Sequence, residues 1–273
     1  MPELPEVETV RRGLEKLFPK PVKIKAIRVG NKSLREEVKA SNVKCLKGQR
    51  LRSFGRRAKY LLLETDDFMI ISHLGMTGSW RIFEKSKARI HDHIFIHLDS
   101  GKSLVYNDPR RFGLFKVVQK EKWQDSPQFK NLGPEPFDRQ NFKGKFLYEK
   151  SRGRKASIKA FLMDQKTVVG IGNIYASEVL FLSSVRPNCP VNSLSLKDFD
   201  RIVSSSRQVL RAAMSAGGTT IRDFRQAGGS KGAFSAQLLV YDRESENCYR
   251  CGNQILQAQI VGRSSYWCPQ CQK

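Results

Sequence analysis

Met1-Pro2-Glu3-Leu4-Pro5-Glu6-Val7-Glu8-Thr9 places a proline one position behind the methionine and three glutamates within the next six residues. Removal of Met1 would leave Pro2 as a secondary amine. An α-amino group titrates near ~7.7–8.0, so a usable fraction is unprotonated at neutral pH. Such an amine can attack a carbon and collapse to an iminium, the covalent logic of Schiff-base lysines. Glu3, beside it, could shuttle protons. The same residues also suit a plain helix start, with Pro5 in the first turn and Glu6 and Glu8 against the positive end of the dipole. Val7, Val10, Leu14, Leu17 and Phe18 recur at three- and four-residue steps, which predicts an amphipathic helix over about 5–18. Spacing alone leaves both readings of the N-terminus open.

The tail carries the second chemical signal. Cys248-x2-Cys251-x16-Cys268-x2-Cys271 has the two-knuckle spacing of a tetrahedral, all-cysteine zinc site. Four cysteine ligands leave no open coordination position, so one zinc would be structural and would not generate a hydroxide. Arg263, preceded by Gly262, sits between the knuckles as a turn residue that could reach a phosphate. Cys45 and Cys189 stand alone and read as ordinary reduced thiols.

These groups must be held by a chain of 273 residues, long enough for two domains and a substantial core. Lysine and arginine number 49 against 26 aspartates and glutamates, a formal net charge of +23, which favours a polyanionic partner over a small acidic metabolite. Nucleic acid comes first and an anionic membrane surface second. There is no run of eighteen apolar residues and no apolar signal-peptide core, so the expectation is a soluble, cytoplasmic protein that does not engage a membrane.

From about 22 to 118 the apolar period is two, as in His93-Ile94-Phe95-Ile96-His97-Leu98, where Ile94, Ile96 and Leu98 share one face of a half-buried strand. Further strands are predicted at 22–29, 60–64, 68–72, 79–83, 103–106 and 114–118, spacing that suits an antiparallel sandwich or barrel. Two loops interrupt them, His73-Leu74-Gly75-Met76-Thr77-Gly78 and Asn107-Asp108-Pro109-Arg110-Arg111-Phe112-Gly113. Pattern alone favours glycines at special backbone angles with Met76 and Phe112 dipping into the core. The other reading makes them exposed wedges that unstack bases, with Arg110 reaching a base edge. Arg56-Arg57-Ala58-Lys59 reads by default as a solvated basic turn, and His91 and His93 as hydrogen-bonding residues and not a metal pair.

Residues 125–148, with Ser126-Pro127 and Gly133-Pro134-Glu135-Pro136, break the periodicity as a linker would. Seven basic residues lie between Lys143 and Lys159 against a single Glu149, a candidate phosphate-facing strip. Gly170-Ile171-Gly172-Asn173 precedes an apolar helix over 174–182, either an anion-binding glycine turn or an ordinary Asn-capped start. Ser195-x-x-Asp198 has the form of a capping box opening a long helix that ends near Gly217-Gly218. The glycine-rich stretch beyond reads as a mobile loop.

Taken together, Pro2-Glu3-Leu4-Pro5-Glu6-Val7-Glu8-Thr9, His73-Leu74-Gly75-Met76, Asp108 to Gly113, Gly172-Asn173-Ile174-Tyr175 and the four-cysteine tail resemble the bacterial formamidopyrimidine-DNA glycosylase family in content and order. The resemblance implies an α+β multidomain fold. An N-terminal helix and antiparallel β-sandwich would occupy 1–124, a linker 125–148, a helical domain with a helix-two-turn-helix motif 149–246, and a zinc-finger hairpin 247–273. Double-stranded DNA carrying an oxidised purine would lie in the cleft between domains, bound by a monomer.

It further implies that Pro2 attacks the sugar of 8-oxoguanine or a formamidopyrimidine and that β- and δ-elimination follow. Glu3 would transfer protons, with Glu6 and Glu178 supporting. Lys59, His73, Asn173 and Arg263 would hold phosphates around the flipped nucleotide, with Tyr241, Arg111 and Lys155 also on DNA. Met76, Arg110 and Phe112 would fill the vacated stack, and a loop over about 219–237 would cover the flipped base. The sister branch that prefers oxidised pyrimidines typically has glycine where this chain has Leu4. A zinc-stabilised protein that bends or marks damaged DNA without cutting it would share the charge, the wedges and the metal, but would have no use for a terminal proline beside Glu3.

Overall fold

A computed structural model describes residues 1–273 apart from 31, 84–87 and 220–232. It divides into two compact units, Met1–Lys130 with Ala216–Ala233, and Asn131–Ser215 with Phe234–Lys273. The greater part of the loop expected over the flipped base therefore lies outside the described residues.

The first unit opens with helix α1 (Leu4–Leu17), whose Val7, Val10 and Leu14 are buried. Leu17, counted in the apolar stripe, is instead 44% exposed. The helix stops there, and Phe18 takes over by stacking on Phe54 at 6.0 Å between ring centroids. Strands β1 (Val22–Val29), β2 (Arg50–Leu51), β3 (Ser53–Arg57), β4 (Tyr60–Glu64), β5 (Phe68–His73), β6 (Ser79–Phe83), β7 (Asp92–Leu98), β8 (Ser103–Asn107) and β9 (Leu114–Gln119) follow, with a short α-helix, α2 (Ala40–Val43), after β1 and 3-10 turns at Lys44–Leu46 and Lys120–Asp125. They form two antiparallel sheets, ordered β2-β1-β7-β8-β6 and β3-β4-β5-β9.

One apolar cluster joins the sheets and α1: Ile24, Ile94, Ile96 and Leu104 from the first sheet, Leu61, Leu63, Ile70 and Phe115 from the second, and Val10 and Leu14 from the helix. This is the sandwich core that period-two alternation leads one to expect. Strand β7 is buried on more than one face, because Phe95 is covered by the Arg28 guanidinium of β1, 3.7 Å from its ring centroid. Helix α1 is fixed to β3 through Glu8, which pairs with Arg11, Arg12 and Arg56.

The basic stretch Arg56 to Lys59 is not a solvated turn. Arg56 and Arg57 complete β3, a two-residue turn follows with Ala58 at a φ of 53°, and Lys59 is 5% exposed. A lysine can be buried there because carboxylates face it, as described below.

The span expected as a linker holds no helix or strand from 126 to 143, passes from the first unit to the second after Lys130, and its last residues already begin α3 (Gly144–Ser151). Helices α4 (Ile158–Met163), α5 (Asn173–Leu182) and α6 (Leu196–Ser215) pack with α3 around Phe142, Leu147, Phe161, Leu180 and Phe199. The capping box of α6 is present: Ser195 N–H donates to Asp198 Oδ2 at 2.9 Å and Asp198 N–H to Ser195 Oγ at 3.3 Å. The tail forms a hairpin, β10 (Leu256–Ile260) and β11 (Arg263–Trp267), joined by Val261 and Gly262 at φ 49° and 67°. Two consecutive left-handed residues make the kind of turn that matches strand twist.

Candidate DNA-repair site

At the start of α1, Pro2 is buried and Glu3 and Glu6 are 2% and 3% exposed. Glu6 bridges two backbone segments: Oε2 accepts from Glu3 N–H at 2.9 Å and Oε1 from Thr219 N–H at 2.8 Å. Gly218, at φ 81°, lies against the same carboxylate, where a Cβ would come within 3.0 Å of Oε1. Lys59 belongs to this cluster. Burial pushes its pKa down, while the negative charges of Glu3 and Glu6 act to raise it. The fold thus gathers the Glu3 and Glu6 carboxyl groups and the buried Lys59 beside Pro2.

His73, at the end of β5, is 7% exposed. The Gly75 N–H donates to its Nδ1 at 2.9 Å, which places the proton of the neutral ring on Nε2. Burial, then Arg35 and Lys59, push its pKa down to about 3. His73 is therefore a neutral donor at physiological pH. Arg35 was not singled out by any spacing, yet its charge also bears on Tyr60 and Tyr106.

The two loops beyond His73 do not bury their apolar residues as pattern alone suggested. Phe112 is 46% exposed and Met76 half-buried, and the Arg110 guanidinium lies 4.9 Å from the Phe112 ring centroid. Arg111, exposed, takes a left-handed φ of 56°, and the Gly113 N–H is held by Asp108 Oδ2 at 2.8 Å. These two constraints turn the loop so that Phe112 stays outside. Gly75 is required at the crossing, since it has a φ of 60° and a Cβ there would collide with the Phe112 and Gly113 backbone.

In the second unit α5 is capped by Gly172 without a side-chain bond, so Asn173 is its first residue and not its cap. Asn173 Nδ2 lies 3.5 Å from the Tyr241 hydroxyl, and its buried Oδ1 has no protein partner. Glu178, one turn and a half along the same helix, is 1% exposed. Its carboxylate accepts from Leu239, Val240 and Tyr241 N–H at 2.8, 3.0 and 2.9 Å. Burial raises its pKa against the pull of those three donors. The helix that presents Asn173 thereby also fixes the segment that presents Tyr241. The signal by which the sequence could have shown this role is a lone acid inside the otherwise uncharged stretch 174–182.

The basic strip also divides. Lys155 is exposed, but Lys159 is 1% exposed and donates from Nζ to Ser264 O at 2.9 Å and Ser265 Oγ at 2.7 Å. Those oxygens replace its hydration, so it ties α4 to β11 and does not face a phosphate. Arg263, the residue before Ser264, is exposed at the start of β11.

The four tail cysteines meet. Their sulfurs all lie within 4.8 Å of one another, with Cys248 and Cys271 at 3.9 Å and Cys251 and Cys268 at 3.4 Å. A tetrahedron with Zn–S bonds of about 2.3 Å has edges of about 3.8 Å, so the four thiols fit one structural zinc. Arg250 N–H and Cys271 N–H point at Cys248 Sγ and Cys268 Sγ, each at 3.4 Å, as donors to thiolates should.

A helix-led sandwich, a helical unit with a glycine turn before α5, and a four-cysteine hairpin define the architecture of a zinc-finger DNA glycosylase. The chain belongs to the formamidopyrimidine-DNA glycosylase family. Family models match the N-terminal domain over residues 1–115, the H2TH domain over 132–225, and the zinc finger found in FPG and IleRS over 245–273. Relatives called formamidopyrimidine-DNA glycosylase from Bdellovibrio bacteriovorus and Vibrio vulnificus are 45% and 42% identical, each aligned over the whole of both chains. Among solved structures, a Lactococcus lactis FPG mutant bound to Fapy-dG DNA matches with a TM-score of 0.91 at 35% identity, covering all of both chains. The L. lactis protein bound to abasic-site DNA matches at 0.90, with 35% identity and 99% of each chain covered.

Proposed function

We propose that this chain excises oxidised purines, 8-oxoguanine and formamidopyrimidines, from duplex DNA and then cleaves the strand at the resulting abasic site. The observation that carries the reading is the buried group of Glu3, Glu6 and Lys59 around Pro2. A terminal proline amine, freed by loss of Met1, attacks the sugar C1′. The C1′–N bond breaks and the base leaves with a proton. The sugar ring opens to an iminium on Pro2, which makes the adjacent C–H acidic and drives β- and then δ-elimination of the two phosphates. Glu3 is the proton-transfer group, and Lys59 supplies positive charge in a site with little water.

His73 and Arg111 of the first unit, and Asn173, Tyr241, Arg263 and Lys155 of the second, hold DNA phosphates, fixing an otherwise mobile sugar before attack. Met76 and Phe112 enter the vacated stack, and Arg110 pairs with the base left behind. The neutral Nε2–H of His73 and the exposed Arg263 suit that phosphate role. Supporting the substrate class, the related L. lactis protein has been crystallised with Fapy-dG and with abasic-site DNA. Zinc, held by Cys248, Cys251, Cys268 and Cys271, maintains the hairpin and takes no part in bond breaking.

Borohydride reduction during turnover of a duplex with one 8-oxoguanine opposite cytosine tests the covalent step. A trapped protein–DNA adduct mapped to Pro2 is expected. Equal trapping by protein with a blocked N-terminus would remove Pro2 from the reaction, and no trapping at all would leave a damage-binding protein.

A further inference from the structure

Two exposed loops are joined beneath their tips by one hydroxyl. Thr77 Oγ1 donates to Asp108 Oδ1 at 2.6 Å and accepts from the Arg110 N–H at 3.2 Å. Asp108 is fully buried and spends its second oxygen on the Gly113 N–H. Its own carbonyl accepts from Arg111 N–H at 3.2 Å and pairs with His93 Nε2 at 2.9 Å. The Tyr106 hydroxyl lies below both loops, donating to His73 O at 3.0 Å in a space that a Cβ on Gly78 or Gly113 would invade.

Separate turns of this kind ordinarily move independently, on nanosecond to microsecond timescales. Here the turn carrying Met76 and the turn carrying Arg110 and Phe112 share a charge-assisted bond to a carboxylate that water cannot reach, the stronger kind of protein hydrogen bond. Thr77 suits the junction because a hydroxyl donates and accepts at once.

We infer that Thr77 is a positioning residue that makes the two loops one rigid block, so that the Met76 wedge and the Arg110 base reader enter the duplex together. This rests on the DNA roles proposed above for Met76 and Arg110. The consequence is that eviction of the damaged base and inspection of its partner become a single event. A lesion opposite the wrong base is then refused at insertion, before the sugar reaches Pro2.

Thr77→Val keeps the shape and removes the hydroxyl, whereas Thr77→Ser keeps the hydroxyl. Single-turnover rates on 8-oxoguanine opposite cytosine and opposite adenine, and on a preformed abasic site, separate the possibilities, with Arg110→Ala and a thermal melt alongside. Thr77→Val should slow excision opposite cytosine by about tenfold, the scale of one charge-assisted hydrogen bond, and should shrink the cytosine-over-adenine preference. Abasic-site cleavage should stay within about twofold, and Thr77→Ser should match the parent in all three assays.

If Thr77→Val keeps the preference while Arg110→Ala loses it, the coupling is refuted and the reading role stands. If Arg110→Ala also keeps the preference, the reading role fails and the inference with it. Equal loss on every substrate with a lowered melting temperature would make Thr77 a fold residue only, which likewise overturns the inference.

Discussion

The Glu6 carboxylate accepts the Thr219 backbone N–H at 2.8 Å across more than two hundred residues of sequence. Because the other oxygen holds Glu3, the entry to the 220–232 segment and the residue beside Pro2 are set by one side chain. Glu6→Gln removes the charge from both bonds. Excision of 8-oxoguanine should fall by roughly ten- to a hundredfold, the range for hydrogen bonds to charged groups. If Glu6 only caps α1, the variant should melt lower, by about 1 kcal/mol of stability, with its single-turnover rate intact. A parent-like rate well below the melting temperature would decide for the cap.

Arg263 and Lys59 were expected to act alike on phosphates, and their surroundings now separate them. Arg263 is exposed, so Arg263→Ala should reduce the salt dependence of DNA binding by about one phosphate's worth with no change in melting temperature. Lys59→Ala strips the cation from a buried group containing Glu3 and Glu6, so it should lose stability as well as activity. Binding titrations at several salt concentrations, paired with thermal melts, check both. Identical melting of the two variants would contradict the burial argument.

Zinc removal should act on the hairpin and, through it, on Arg263. Cys248→Ser or a strong chelator is expected to release one zinc per chain and to abolish tight DNA binding, since binding of such a metal is part of folding. Metal analysis beside a binding isotherm is sufficient. Parent-like DNA affinity in zinc-free protein would show that the hairpin holds itself together.

His73 makes a signed prediction. Its pKa in the folded protein is about 3 against an ordinary 6.5, so the unfolded chain takes up the proton first on acidification. Its contribution to stability is therefore complete above the unfolded pKa and is lost as pH falls from about 6.5 toward about 3. Denaturant unfolding across that window should show a shallower pH dependence in His73→Gln than in the parent. Parallel curves would mean that His73 takes up its proton at the same pH in the folded and unfolded chain.

Much of this could be read in the sequence because it depends on local periodicity or fixed spacing. Strand β1, the Ser195–Asp198 cap and the cysteine knuckles each announce themselves within a few residues. Strand β3 did not, since Arg56 and Arg57 disguise it as a polar turn, and the Glu8 partner of Arg56 lies on another element. The burial of Lys159 was equally hidden, because Ser264 and Ser265 are over a hundred residues away. Phe112 misled in the opposite direction: an aromatic residue in a glycine turn suggests core, and only the Arg111 and Gly113 geometry keeps it outside. Long-range polar pairs, and not the apolar pattern, account for the residues that spacing missed.

The Val261-Gly262 turn carries an evolutionary consequence. Both residues hold left-handed backbone angles, which glycine adopts freely and other residues rarely, and Arg263 follows them directly at the start of β11, so residue type at these two positions sets how the guanidinium enters the hairpin. Lineages should therefore keep glycine, asparagine or aspartate at position 262 and exchange residue type there less readily than in the strands on either side.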